Sequence, residues 1–162
     1  MGEGRWHKKV RDKISRNLDS KNIEYRHSHG ANKVPLFLDK KVLTRSTQLS
    51  DADFVVLKED AVRYIIEIET GAPTPKKIIG IICATDLSEV CSKGDTPIRI
   101  EKAKLFIITQ KRETNKPGSR KSKQYENIQS YLKVGRALRE FQIITENEIP
   151  DLIREIEIGI NK

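Results

Sequence analysis

Trp6, Val10, Ile14 and Leu18 recur at every fourth position, with Arg5, Lys8, Lys9, Arg11 and Lys13 between them. That period predicts an amphipathic helix over residues 5–19. Ser20-Lys21-Asn22 breaks it, Ile23–Arg26 reads as a short strand, and His27–Asn32 as a polar loop. Val34–Leu38 suits a short strand that Pro35 keeps at an edge. Two runs rich in β-branched and aromatic residues follow, Asp53–Leu57 and Val62–Glu69, and the turn between them predicts a hairpin. Thr74 before Pro75 has the form of an N-cap with proline at the first helical position. The helix it opens extends to about Val90, apolar on most sides and expected between layers. Ser92–Pro97 reads as a loop, Lys104–Thr109 as an interior strand, and residues 111–123 as a flexible loop. A helix over Gln124–Glu140 with Ile128, Leu132 and Leu138 on one face, a strand over Phe141–Thr145 and a helix over Glu148–Ile160 complete the chain. This order predicts an α/β sandwich around a mixed sheet, one domain over residues 1–162.

Charge changes that picture. The 31 Lys+Arg against 23 Asp+Glu leave +8, unevenly spread. Residues 1–45 carry 12 basic and 5 acidic side chains, and residues 74–145 carry 15 and 7, but residues 46–73 carry 2 and 6. An acidic island in a basic chain suits a metal-dependent enzyme acting on a polyanion, carboxylates holding the cation and lysines the phosphates. Ordinary surface charge on a Lys/Glu/Ile-rich chain is the alternative. No apolar run approaches the ~18 residues of a membrane span and the start lacks a signal peptide's apolar core, so a cytoplasmic location is expected. Cys83 and Cys91 fall in one helical pattern, two turns apart, and suggest neither a disulfide framework nor a zinc site.

Alternation along Val62–Glu69 places Arg63, Ile65, Glu67 and Glu69 on one face and Tyr64, Ile66 and Ile68 on the other. If Lys58 pairs with Val62 around a three-residue loop, Val55 faces Ile65 and Asp53 faces Glu67. Asp53, Glu67 and Glu69 then converge, with Asp51 near. Like charges so close destabilise unless a cation or protons neutralise them. Mg²⁺ needs only one or two carboxylates and takes its remaining ligands from water and phosphate. A one-residue slip of register would scatter the cluster into ordinary surface acids.

At these residues the chain resembles the PD-(D/E)xK nuclease superfamily, with Asp53 at the first acidic position, Glu67 at the second, and Glu69 where a lysine is usual. The resemblance implies a restriction-endonuclease-like three-layer sandwich. It also implies a Mg²⁺-dependent DNA endonuclease, with Mn²⁺ as substitute, of the type II restriction class. Asp53 and Glu67 would be metal ligands and Glu69 a base or second-metal ligand. The missing lysine could come from Lys76 or Lys77, and an added acid from Glu3, Asp12 or Glu24. Lys111, Arg112, Lys116, Arg120, Lys121 and Lys123 suit contacts to the phosphates of double-stranded DNA. Cutting both strands implies a homodimer. The alternatives are a Holliday-junction-resolvase-like nuclease and a non-catalytic nucleic-acid-binding module on the same scaffold. His7, His27 and His29 lack the spacing of a ligand pair, while Trp6, Tyr125 and Tyr131 are expected to pack.

Overall fold

The computed structural model describes residues 4–27, 33–39, 41–93 and 96–162. In chain order the elements are α1 (Arg5–Ser20), β1 (Tyr25–His27), β2 (Val34–Phe37), β3 (Gln48–Ala52), β4 (Phe54–Lys58), β5 (Ala61–Glu69) and α2 (Pro75–Leu87). They continue with β6 (Val90–Lys93), β7 (Thr96–Thr109), α3 (Arg120–Tyr131), β8 (Leu138–Thr145) and α4 (Ile149–Asn161). The eight strands form one mixed, open sheet in the order β1-β4-β5-β7-β6-β2-β3, with β8 paired to β7. β5, β7 and β8 run parallel, whereas β4 runs antiparallel to both its neighbours, β1 and β5.

Strand alternation builds two cores on this sheet. Phe54, Val56, Tyr64, Ile66, Phe106 and Ile108 pack with Val10, Ile14 and Leu18 of α1 and Leu152, Ile153 and Ile156 of α4. Val55, Leu57, Val62, Ile65, Leu105 and Ile107 pack on the opposite side with Ile78 and Ile82 of α2 and Tyr125 and Ile128 of α3. The result is an α/β arrangement of helices on both faces of a sheet. β3 ends the strand order, yet only Asp53 separates it from β4. The sheet must therefore curl round on itself, and Asp53 sits at the bend.

Several elements differ from the sequence pattern because tertiary pairing decides them. β2 lies between β3 and β6 and is no edge strand; Pro35 is tolerated because the ladder to β6 begins only at Leu36. β3 carries no apolar run and is formed by pairing to β2. α2 stops at Leu87, and Val90–Lys93 leaves the helix to pair with β2 and β7, so Cys83 is helical while Cys91 is buried in a strand. α2 is also covered on one side only, with Ile79 and Leu87 exposed. β7 begins at Thr96, eight residues early, because its first residues pair with β6 before a bulge at Lys102, where φ is +46°, passes the strand on to β8. Residues 111–123 are no flexible loop: they hold a 3₁₀ turn at Glu113–Asn115 and the first turn of α3.

α3 ends at Tyr131, not Glu140, and Leu138 belongs to β8. Asp86 of α2 supplies the reason, accepting hydrogen bonds from the backbone N–H of Gly135 (3.2 Å), Arg136 (3.0 Å) and Leu138 (2.9 Å). A helix would have consumed those donors internally. Asp86→Ala is expected to destabilise the protein by about 1–2 kcal/mol, the scale of a lost cap. Urea unfolding checks this, and unchanged stability would mean that water replaces the carboxylate at no cost. Among the described residues, no helix is long and apolar enough to cross a membrane.

Candidate functional site

The β4–β5 hairpin sets the site. Its turn is two residues long, Glu59 and Asp60, both left-handed at φ +53° and +60°, as a tight turn matching strand twist requires. The expected three-residue loop is thus incorrect. A bulge at Arg63 restores the register, so that Val55 pairs with Ile65 and Phe54 with Ile66 as the alternation predicts.

β5 outlasts β4 at this end, and Asp53 fills the gap. Its backbone N–H donates to Ile66 O at 3.1 Å, and its Oδ2 accepts the next free donor of β5, the Ile68 N–H, at 2.7 Å. The side chain therefore replaces a ladder partner, which holds it rigidly in a fully buried position. Asp53 Oδ1 is buried and accepts no well-aligned hydrogen bond among the described residues; His7 Nε2 of α1 lies 3.1 Å from it.

Glu67, 2% exposed, stands on the neighbouring strand. Between the acids lies Lys33, the residue before β2. Its Nζ is 3.0 Å from Glu67 Oε2, 3.4 Å from Asp53 Oδ2 and 3.8 Å from Asp51 Oδ1. Three carboxylates from β3, the bend and β5 thus share one cation position. Burial pushes the Glu67 carboxyl well above its ordinary value, with the charge of Asp53 adding to the shift and Lys33 opposing it. Burial acts the same way on Asp53, but His7, Lys33 and the Ile68 N–H together outweigh it and hold that carboxyl below the usual range. Burial also works against the charge of Lys33, which Glu67, Asp53 and Asp51 more than offset, so the ammonium is retained.

Glu69 has a different partner. Its Oε2 is 2.5 Å from Nζ of Lys77 in the first turn of α2, whose N-terminus Thr74 caps through a 3.3 Å bond to the Lys77 N–H. The expected convergence of Asp53, Glu67 and Glu69 on one ion thus becomes Asp51, Asp53 and Glu67 around Lys33, with Glu69 and Lys77 beside them on β5 and α2. Lys76 is exposed. Tyr125 packs as expected, its hydroxyl donating to Pro73 O at 2.6 Å; burial and the charge of Glu69 push it up to about 12. Tyr131 does not pack, being 80% exposed at the end of α3.

The basic segment docks on the chain just beyond Glu69. Gly71, left-handed at φ +79°, exchanges hydrogen bonds with Gln110 through its O (2.9 Å) and its N–H (3.1 Å). Lys121 Nζ donates to Ala72 O at 2.7 Å, and buried Asn115 ties the turn together through Gln110 O and Arg112 N. Arg112 donates to Gln110 and Lys116 pairs with Glu113, while Lys111, Arg120 and Lys123 are exposed. A cleft of about 360 Å³ beside Tyr125 is lined by Lys111 and Lys116. A larger open cleft, about 700 Å³, has Tyr25, Arg26, His27, Lys33 and Pro35 on its walls, and of these Lys33 also contacts Asp53 and Glu67.

Among the described residues, no group of three or more His, Cys, Asp or Glu side chains is arranged to hold a metal ion as the chain stands. Lys33 Nζ stands between Glu67 Oε2 and Asp53 Oδ2. Of the acids expected to join from the N-terminal region, Asp12 meets Arg11 and Glu24 meets Arg26, while Glu3 lies outside the described residues, as does His29. The first helix contributes His7 to the site instead. Neither His7 nor Lys33 had a signature in the sequence, because each meets the acids only through tertiary packing. No family model matches the chain, and no curated protein or solved structure matches it significantly.

Proposed function

We propose that this protein is a divalent-cation-dependent endonuclease that hydrolyses phosphodiester bonds of DNA, on a restriction-endonuclease-like scaffold and acting as a homodimer on duplex substrate. The observation that carries this is the sharing of one cation position by two buried carboxylates, Asp53 at the bend before β4 and Glu67 on the neighbouring strand β5. A buried acid whose pKa is displaced by burial and a specific charge partner marks a candidate functional site. The donor set fits Mg²⁺ or Mn²⁺ in its chemistry: all-oxygen, from two buried carboxylates.

Asp53 and Glu67 would hold the ion, which supplies Lewis-acid activation of water and neutralises charge building on the phosphate. Every other role belongs to the chain. The Ile68 N–H fixes Asp53, and His7 shields its second oxygen. Glu69, anchored through Oε2 by Lys77, would accept the proton of the attacking water. Lys111, Arg120 and Lys123 hold the substrate backbone at the same end of β5 and β7 through phosphate contacts, which position without reading sequence. A duplex has two strands to cut, and a two-fold dimer presents one such site to each.

A second reading, a non-catalytic nucleic-acid-binding module, is favoured by the fact that Lys33 already pairs with the acids. Incubation of supercoiled plasmid with Mg²⁺, and with EDTA, separates the two. Nicking or linearisation that requires Mg²⁺ and is lost in Glu67→Gln supports the enzyme. DNA binding that survives EDTA with no cleavage under any divalent ion supports the module.

A further inference from the structure

The cation in the carboxylate cluster is one the chain itself supplies. The oxygens nearest Lys33 Nζ, Glu67 Oε2 at 3.0 Å and Asp53 Oδ2 at 3.4 Å, belong to the two side chains that the proposed function assigns to a divalent ion. Mg²⁺ binds carboxylate oxygen at about 2.0–2.1 Å and keeps a shell of water around it. An ammonium held between the same oxygens leaves no room for that shell. Asp53 is fully buried and held as a ladder partner of β5, and Glu67 is 2% exposed, so neither carboxylate can move out into solvent. Lys33 can. Its side chain is 28% exposed, its backbone is anchored by the β2 pairing that starts at Val34, and the residue lines the 700 Å³ cleft.

We propose that Lys33 is a tethered counter-ion: it holds the cation position of Glu67, Asp53 and Asp51 in the ion-free protein, and a divalent cation enters by displacing it into the adjoining cleft. This rests on the proposed cation site. In the ion-free state the ammonium relieves the repulsion among three acids that would otherwise oppose folding. Because the competitor is attached to the chain, its effective concentration is high and constant. The divalent-ion concentration needed for occupancy is therefore set by Lys33 as well as by the ligands.

The full-length protein is treated with an acetylating reagent across a Ca²⁺ titration, and the modification of each lysine is read by peptide mass spectrometry. Lys33 is expected to react slowly without Ca²⁺ and at least about fivefold faster when it is saturating, since a displaced amine loses its carboxylate partners. Exposed Lys9 should not change. By calorimetry, Lys33→Met is expected to bind Ca²⁺ at least about tenfold more tightly than the wild type, the tethered competitor being gone. Glu67→Gln should not bind it. If the wild type binds Ca²⁺ while Lys33 reactivity stays constant, the displacement idea fails and the cation site stands. If neither the wild type nor Lys33→Met binds Ca²⁺, both fall. Should Lys33→Met not fold, the footprint on the wild type alone decides.

Discussion

Glu67→Gln is expected to abolish Mg²⁺-dependent cleavage, by about a thousandfold or more, while making the ion-free protein more stable at neutral pH. The two effects have one cause. Burial raises the Glu67 carboxyl above its ordinary value of 4.5, so folding favours its protonated form. Such a group supports the folded state below the unfolded value, and its contribution declines as pH rises through the folded one. At neutral pH the charge is an expense that glutamine removes, and the gain should vanish on acidification below about pH 4, where the carboxyl is protonated in both states. Asp53→Asn should lose activity to a similar degree with the opposite effect on stability. Its carboxyl is held below the ordinary value of 3.8 once His7, Lys33 and the Ile68 N–H have overcome burial. That stabilisation is present above the unfolded value and is lost as pH falls. Urea unfolding from pH 3.5 to 7.5, alongside the plasmid assay, reads both. Cleavage at wild-type rate in Glu67→Gln would remove the carboxylates from the mechanism.

The second large effect concerns how nucleic acid is held. Of the six basic residues of 111–123, Lys121, Arg112 and Lys116 spend their charged groups on Ala72, Gln110 and Glu113. Lys111, Arg120 and Lys123 are exposed at the end of the sheet where the carboxylates lie. Replacing these three by alanine should weaken duplex binding by roughly tenfold or more at low salt. It should also reduce the slope of log K against log salt by about 2.7, three contacts at about 0.9 each. Fluorescence anisotropy on the Glu67→Gln background, across a potassium chloride series, measures the slope without cleavage. An unchanged slope would place the phosphate-binding face elsewhere. Lys121→Ala is a poor substitute for this test, since losing the bond to Ala72 would shift the segment itself.

Some of this molecule could be read from residue order. The four-residue spacing from Trp6 to Leu18, the alternation from Val62 to Glu69 and the Thr74-Pro75 start of α2 are local signals, and α1, β5 and that helix start follow them. Alternation also assigned Glu67 and Glu69 to one face, and the pairing of Val55 with Ile65 is as that alternation requires, although the two-residue turn and the Arg63 bulge that produce it were not foreseen. β3, the pairing of β6 and the end of α3 lacked such signals. They depend on partners far along the chain: β2 for β3, both β2 and β7 for β6, Asp86 for the turn after Tyr131. Residue order alone determined the two carboxylates of the hairpin, because strand period is a property of the backbone. Only the tertiary structure decided what faces them. It brought in a lysine 34 residues from Glu67 and a histidine from the first helix, and it turned Glu69 to Lys77. Ion pairs across such separations are set by how layers pack and strands curl, and no local pattern records that.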